Sequence, residues 1–316
     1  MRISTQGLFR AQEKEVASLL KFITKGAFDM KKIGIIGAEN SHTEAIGKII
    51  NVEKKIKGFS VDYVWGETEK YAAKAAKAGK ISNIVKTPKQ MLGKIDALIV
   101  DHRHGKYHLA VAIPFIEQGI PTYIDKPFCY RSDEGKRFFE IARKHKTPIT
   151  NFGVVPHQNS FRGFVRKMAG LGDIVAGATY GPCDLKSKWG GVFFYGIHQV
   201  EMALLAFGYN VRSALITKNG NGATGQLIYS DGKIVTMNLI KEGCNGFSIT
   251  AAGSKGILHK AITYDKNRHL FGVKMCTDMF KTGKEPFEYK QILKSVLVLE
   301  ALERSVKSGK IEKVGK

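Results

Sequence analysis

The sequence predicts an α/β protein built from two different sheets. Between Lys32 and about Gly153, short apolar runs alternate with helical patterns, which is typical of an α/β doubly wound parallel sheet. Beyond Gly153, one apolar helix is followed by segments in which apolar and polar residues alternate, which predicts an α+β domain with an open, mostly antiparallel sheet. A chain of 316 residues is long enough for two such domains.

Six apolar runs in the first half are the predicted parallel strands. Each run is short and shows little alternation with polar residues, as expected for strands that are buried on both faces of a sheet. The runs cover residues 33–36, 61–65, 81–85, 97–100, 122–124 and 149–152.

The second half starts with a predicted apolar helix over residues 197–207. Alternating segments at 225–230, 233–240 and 247–252 predict strands, and the sequence Ser-Asp-Gly at 230–232 predicts a hairpin turn between the first two. A stripe of apolar residues at helical spacing predicts a last helix that contains Ile292, Val296, Leu299, Leu302 and Val306.

Several features of the chain predict a cytoplasmic protein. Residues 1–29 are a predicted N-terminal extension with helical spacing, and they lack the apolar core and the cleavage site of an export signal. No apolar run approaches the ~20 residues that a membrane-spanning helix needs. The four cysteines lie far apart, which fits a reducing compartment.

The charge of the chain is strongly positive. Lys and Arg number 50 against 28 Asp and Glu, so the net charge is +22 and the pI is about 9.7. A nucleic-acid partner is one explanation, but the lysines are scattered and no basic segment is interleaved with aromatic residues. We therefore predict no specific nucleic-acid partner, and a surface that attracts anionic ligands.

The first predicted strand runs into a candidate phosphate-binding turn. In a dinucleotide-binding fold this turn is rich in glycine and precedes a helix N-terminus. Only its first glycine is present here, and the alternative, a turn that binds nothing, stays open. Ser41 and Glu44 have the spacing of a capping box, which predicts the start of the helix. The candidate cofactor-binding residues of the turn are Gly37, Ala38, Glu39, Asn40, Ser41 and His42. Glu67, after the second strand, is the candidate ligand of the adenosine ribose.

Three segments resemble one family of oxidoreductases. Residues 96–100 with His108, residues 117–127 ending in Asp125-Lys126-Pro127, and residues 190–201 are similar to motifs of the Gfo/Idh/MocA family, which includes glucose-fructose oxidoreductase and inositol dehydrogenase. The resemblance implies a Rossmann domain that binds NAD or NADP over residues 30–153, and a substrate-binding and oligomerisation domain over 154–316. It also implies a sugar, polyol or cyclitol-like substrate and a homo-oligomer.

The resemblance assigns the chemistry to Lys126 and His198. Oxidation of a secondary alcohol moves a hydride to the nicotinamide and a proton to a base. Lys126 matches the lysine of the family's Glu-Lys-Pro motif, and His198 matches its cleft histidine. The alternatives for these two residues are a surface lysine and a buried structural histidine.

The chain departs from the family pattern near this site. Phe194 replaces an aspartate that inositol-type members carry four residues before the histidine, so a catalytically impaired nucleotide-binding or regulatory protein is the alternative function. Tyr195 or Glu201 could substitute for the missing carboxylate. The remaining candidates are cofactor-loop residues His102, Arg103, His104 and His108, with Asp125, and substrate residues His157, Asn159, Tyr195 and His198. A shared metal on the loop histidines is the weaker interpretation, and we predict no metal.

Overall fold

The computed structural model describes residues 30–315, so the predicted extension, residues 1–29, lies outside the described part of the chain. The first sheet is formed by β1 (Lys31–Ile36), β2 (Phe59–Trp65), β3 (Asn83–Ile84), β4 (Ala97–Val100), β5 (Thr122–Ile124) and β6 (Ile149–Asn151). All its strand pairs are parallel, in the order β3-β2-β1-β4-β5-β6. This confirms the predicted doubly wound sheet. The edge strand β3 is shorter than the predicted run 81–85 and is exposed.

Helices cover this sheet and connect its strands. They are α1 (Ser41–Gly47), continued by one π-helical turn (Lys48–Val52), α2 (Glu69–Gly79), α3 (His108–Ile116) and α4 (Ser132–Lys144). In α4, for example, Gly135, Phe138, Phe139 and Ala142 are buried, which is the spacing of one helix face. The central strands are buried along their length because helices pack on both faces.

The predicted capping box at the start of α1 is wrong. The N-cap residue is Asn40 rather than Ser41, and its side chain makes no capping hydrogen bond. Glu44 instead forms an ion pair with Lys74 at 2.6 Å. The Asn40 side chain is directed into a buried group of carboxylates, as described below, because those acceptors need a donor more than the solvent-accessible helix end does.

The second sheet is mixed and mostly antiparallel, as predicted. Its strands are β7 (Ile174–Pro182), β8 (Val211–Asn219), β9 (Gly222–Tyr229), β10 (Ile234–Ile240), β11 (Phe247–Gly253), β12 (Gly256–Ile262) and β13 (Glu312–Lys313). The order is β12-β11-β7-β10-β9-β8-β13, and only β7 and β10 pair in parallel. The helices of this half are α5 (Asn159–Met168), α6 (Gly196–Phe207), α7 (Leu270–Thr282) and α8 (Tyr289–Ser308). Among residues 30–315, no helix is long and apolar enough to cross a bilayer.

A buried glutamine fixes α6 on the second sheet. Oε1 of Gln199 accepts from the Thr179 hydroxyl at 3.0 Å, and its Nε2 donates to the carbonyl oxygens of Gly181 and Asn238, each at 3.1 Å. Since buried amides need partners, these bonds fix the rotation of α6 on β7 and β10. They thereby orient His198, the neighbouring residue, toward the first sheet.

Helix α7 returns from the second half to the first sheet. Its Val273, Met279 and Phe280 are buried in one cluster with Ile33 and Phe59. Because α7 packs there, the residues that precede it arrive beside α1. The two halves of the chain therefore meet above the carboxyl ends of β1, β4 and β5, where the strand order reverses and where ligands bind in such sheets.

Candidate active site

Two carboxyl groups lie at the carboxyl ends of β4 and β5. Asp101 follows β4, Asp125 follows β5, and both are buried. The side-chain amide of Asn40 bridges them, because its Nδ2 donates to Oδ1 of Asp101 at 2.8 Å and to Oδ2 of Asp125 at 3.1 Å. His42 and Thr43 of α1 complete the group. We call these five residues the carboxylate cluster.

Asp101 is the carboxyl group of the cluster whose surroundings favour the neutral acid. The Thr43 hydroxyl lies 2.7 Å from the carbonyl oxygen of Gly37 and 2.5 Å from Oδ2 of Asp101, and it has one proton to donate. The hydroxyl can satisfy only one of these oxygens with its own proton, and a proton on Asp101 would let both hydrogen bonds form. Burial and the nearby charge of Asp125 raise the pKa of Asp101 well above its ordinary value, in agreement with this proton count.

Asp125 is the ionised partner. Nζ of Lys126 and Nδ1 of His42 each lie 3.2 Å from its Oδ2. The Tyr123 hydroxyl lies 3.0 Å from its Oδ1 and 2.9 Å from the carbonyl oxygen of Phe152. Burial acts to raise the pKa of Asp125, but the charges of Lys126 and His42 outweigh it and hold this pKa well below its ordinary value. Asp125 therefore fixes the Lys126 ammonium group at the end of β5.

The cluster also has the spacing of a cation site. Ligand atoms of His42, Asp101 and Asp125 all lie within 4.8 Å of one another. However, the Asn40 amide and the Lys126 ammonium group already donate to these carboxyl groups. Hydrogen bonds and one ion pair thus account for the arrangement without a metal.

Glu67 reaches from the end of β2 to the turn after β1. Its Oε2 accepts hydrogen bonds from the N–H groups of Ala38 and Glu39, each at 2.9 Å, and its Oε1 is buried without a partner among the described residues. Gly37 has a φ of +105°, and a Cβ there would lie 2.7 Å from the backbone after β4, so the turn requires glycine. An unpaired carboxylate oxygen beside this turn fits the ribose hydroxyls of a nicotinamide dinucleotide.

His198 lies on the opposite wall, in the first turn of α6. It is buried, and burial and the charge of Lys126 lower its pKa well below the ordinary value, so its imidazole is neutral. Glu201 lies one turn further along α6, and its Oε1 accepts from the N–H of Gly153 at 3.0 Å. Nδ1 of His198 and Oε2 of Glu201 are both buried without a partner among the described residues.

Aromatic residues and an arginine border the His198 wall. Tyr195 is 42% exposed and has a φ of +65°, a strained value for a residue with a side chain. Its ring contacts those of Phe194 and His198, with centroids 4.8 Å and 5.8 Å away. Arg103, from the loop after β4, stacks on Trp189 and Phe194 at 5.7 Å and 6.0 Å. Phe194, which stands where inositol-type members carry an aspartate, is therefore packed against the guanidinium group of Arg103.

The three loop histidines have different surroundings. Both ring nitrogens of His108 face backbone carbonyl oxygens, at 2.8 Å and 3.3 Å, so this residue supports the loop. His102 packs against Trp65 at 5.7 Å, and burial lowers its pKa to about 3. His104 contacts Tyr130 at 4.9 Å.

Three further candidates contact other parts of the molecule. Ser41 is exposed at the start of α1. His157 is buried, with its ring stacked on Phe271 at 5.6 Å. The N–H of Asn159 donates to the carboxylate of Asp265 at 3.3 Å on the outer surface. The contacts of these residues do not include Lys126 or His198.

Comparison with known proteins agrees with this geometry. Residues 31–152 match a family model described as the oxidoreductase family with an NAD-binding Rossmann fold. These residues belong to the Gfo/Idh/MocA oxidoreductases. The match confirms the predicted family, the oxidoreductase class and a nicotinamide dinucleotide as the cofactor. No curated protein sequence matches the chain.

Solved structures of low sequence identity share the fold of this chain. Scyllo-inositol dehydrogenase from Lactobacillus casei, with NAD(H) and scyllo-inositol, has a TM-score of 0.77 at 14% identity over 91% of this chain and 100% of that one. Myo-inositol dehydrogenase from Lactobacillus casei, with NAD(H) and myo-inositol, has 0.76 at 14% over 91% and 97%. GenD2 from gentamicin A biosynthesis, in complex with NAD, has 0.79 at 12% over 91% and 97%.

The candidate active site also contains residues that the sequence did not indicate. His269, which precedes α7, packs on His42 with ring centroids 4.7 Å apart, and it accepts a hydrogen bond from Nε of Arg268 at 3.1 Å. No local motif marks these two residues, because the return of α7 to the first sheet brings them there. The sequence offered one indication that Asp101 is a site residue, which is its position directly after a predicted parallel strand.

Proposed function

We propose that the protein is an NAD-dependent oxidoreductase that transfers a hydride between a CH–OH carbon of a sugar, polyol or cyclitol-like substrate and the nicotinamide. One observation carries this proposal. Lys126 is buried, is paired with Asp125 at the carboxyl edge of the NAD-binding sheet, and lies close enough to His198 for its charge to lower that histidine's pKa. A cation and a neutral imidazole from opposite walls thus adjoin the place where the nicotinamide would bind.

The proton chemistry of the reaction falls to the protein. When bound, the dinucleotide supplies the hydride acceptor or donor. Asp125 and the cluster behind it hold the Lys126 side chain in place, and Lys126 and His198 exchange the hydroxyl proton of the substrate. Since His198 is neutral, its imidazole can accept a proton or donate one.

The cofactor would be held by Glu67 and by the turn after β1. Oε1 of Glu67 is the free acceptor for a ribose hydroxyl. A carboxylate at this position favours NAD over NADP, because the 2′-phosphate of NADP would place a like charge beside it.

A non-catalytic nucleotide-binding protein is the second candidate. Phe194 occupies the position of the aspartate in inositol-type relatives, and it packs against Arg103. Loss of a carboxylate that orients a proton-transferring histidine lowers rates by about 10²–10⁴-fold. The two candidates differ in turnover and agree in nucleotide binding.

Kinetics on a lysine variant test the proposal. We expect the purified protein to bind NAD by calorimetry and to reduce it with at least one member of a polyol panel that includes scyllo-inositol and myo-inositol. Lys126→Met should lower kcat by about 10²–10⁴-fold and leave NAD binding in place. The control Lys167→Met changes an exposed lysine on α5 and should have no effect. NAD binding without turnover on any polyol would support the non-catalytic candidate, and full activity of Lys126→Met would overturn the proposed mechanism.

A further inference from the structure

Three buried polar atoms near α6 have no partner among residues 30–315. They are Nδ1 of His198, Oε2 of Glu201 and Nε2 of His157. Buried polar atoms are nearly always hydrogen-bonded, and a group of orphaned atoms indicates ordered water or a polar ligand.

Two of these residues adjoin one cavity. This cavity, which we call the inner cavity, has a volume of about 40 Å³ and lies between α6, α8 and the end of β6. Glu201 and His157 are buried lining residues, whereas Tyr209, Gln291 and Phe287 on other parts of the lining are half-exposed. The inner cavity thus extends from the half-exposed residues to the Glu201 carboxyl group. Its lining is mostly apolar, and Glu201, His157 and Gln291 are among the polar residues that can bind water there.

Gly153 brings the Glu201 carboxyl group to His198. A Cβ on Gly153 would overlap Oε2 of Glu201 and would lie 3.2 Å from Nδ1 of His198. Both orphaned atoms therefore lie beside the same point, at a separation that one water could bridge. The Gly153 N–H holds Oε1 of the same carboxyl group at 3.0 Å, which directs Oε2 toward the imidazole.

The protonation states of the pair are complementary. Burial and the charge of Asp125 raise the pKa of Glu201 to about 8, against the opposing effects of the Gly153 N–H and of Lys126. Tyr209 and His157 also face this carboxyl group across the inner cavity, and burial lowers the pKa of His157 to about 4. Below pH 8 a carboxylic acid therefore faces a neutral imidazole.

We propose that Glu201 is the positioning residue of His198, and that it relays protons between His198 and water in the inner cavity. The catalytic part of this inference rests on the proposed function. Glu201 thereby takes the role of the carboxylate that is absent at position 194, which is to orient His198.

The relay balances in both directions. When a carbonyl substrate is reduced by the hydride that the bound dinucleotide would supply, the alkoxide oxygen takes the proton of Nε2 of His198, and Nδ1 takes the proton of Glu201. Bulk solvent then returns one proton to the carboxylate through water of the inner cavity. When an alcohol is oxidised, each proton moves the opposite way.

Infrared spectroscopy on the whole protein tests the pair without any substrate. We expect the difference spectrum between the wild type and Glu201→Gln to contain the carbonyl band of a neutral carboxylic acid, which disappears with a midpoint near pH 8. The control Glu140→Gln changes an exposed carboxylate of α4 and should give no such band. A difference spectrum without a titrating acid band would overturn the inference, whatever the activity of the protein.

Kinetics then separate a relay from a structural role. Glu201→Gln keeps the bond to Gly153 and should lower kcat by about 10²-fold with little change in KM, and the pH dependence near 8 should vanish. Gly153→Ala, which displaces the same carboxyl group, should act in the same direction. A wild-type pH profile in Glu201→Gln would overturn the relay. If the acid band titrates but no polyol is turned over, the Glu201–His198 pairing is supported and the proposed function alone fails.

Discussion

The two walls of the candidate active site differ in how their polar atoms are satisfied. On the first-sheet wall, Asn40, Thr43, Asp101 and Asp125 bond to one another and to their neighbours. On the α6 wall, His198 and Glu201 each keep one buried atom without a partner among the described residues. These four residues of the first-sheet wall thus form a closed hydrogen-bond network, whereas the two residues of the α6 wall do not.

The difference indicates that the two walls have different tasks. A fully paired buried network is rigid, since every movement breaks a bond in a low-dielectric environment. Such a network suits the task of holding the Lys126 ammonium group in one position. Polar atoms without a fixed partner suit groups that exchange protons with substrate or water, because substrate and water can bind to them in turn.

The largest expected effect is a difference between the two aspartates of the first-sheet wall. Asp125→Asn leaves the buried Lys126 without its counter-charge and should reduce the free energy of unfolding by about 3–5 kcal/mol. Asp101→Asn replaces a neutral acid by an amide of similar shape, which can still donate to Thr43 and accept from Asn40. Its expected loss is below about 1 kcal/mol. Chemical denaturation of the two variants measures both values.

Each of the two aspartate variants is the control for the other. Both substitutions exchange a carboxyl group for an amide at adjoining buried positions, so general effects of the amide are common to them. Equal losses would mean that both carboxyl groups carry the same charge, and the proton count at Thr43 would then be wrong.

The two walls should also respond to pH in opposite directions. The pKa of Asp125 is depressed, so its stabilisation is present above pH 3.8 and is lost as the pH falls further. The pKa of Glu201 is raised from 4.5 to about 8, so the folded protein keeps a proton that the unfolded chain has lost. Stability should therefore decline through Glu201 as the pH rises from 4.5 to about 8, by at most ~1.4 kcal/mol per pH unit. Thermal unfolding of Glu201→Gln across this range should lack that contribution, and an unchanged slope would contradict the raised pKa.

The sequence predicted the parts of the molecule that depend on local pattern. The central strands of the first sheet, the hairpin at Ser230 and the last helix follow from periodicity and turn residues, and all are present. Lys126 and Asp125 were predicted as site residues because they follow a buried strand within a family motif. They lie as an ion pair at the end of β5.

The remaining parts depend on contacts that no local pattern contains. The role of Asn40 is set by two buried carboxyl groups from other strands, which is why the predicted capping box failed. His269 reaches His42 only because α7 packs back on the first sheet. Glu201 was considered as a substitute for the missing carboxylate, but its relation to His198 depends on the absent side chain of Gly153, a neighbour distant in sequence.

The smallest expected effect concerns Glu67, whose buried Oε1 has no hydrogen-bond partner among the described residues. A hydrogen bond to a charged acceptor contributes about 1.5–3 kcal/mol, so Glu67→Gln should raise the Kd for NAD by roughly 10–100-fold. NADP should lose less affinity or gain some, because the repulsion of its 2′-phosphate disappears. Calorimetric titration with both nucleotides measures the change, with Glu69→Gln, an exposed carboxylate in the first turn of α2, as the control. If the affinities for NAD and NADP are both unchanged in Glu67→Gln, Oε1 of Glu67 is not a ribose ligand. Buried polar atoms without partners near the active site would then not mark where ligands bind.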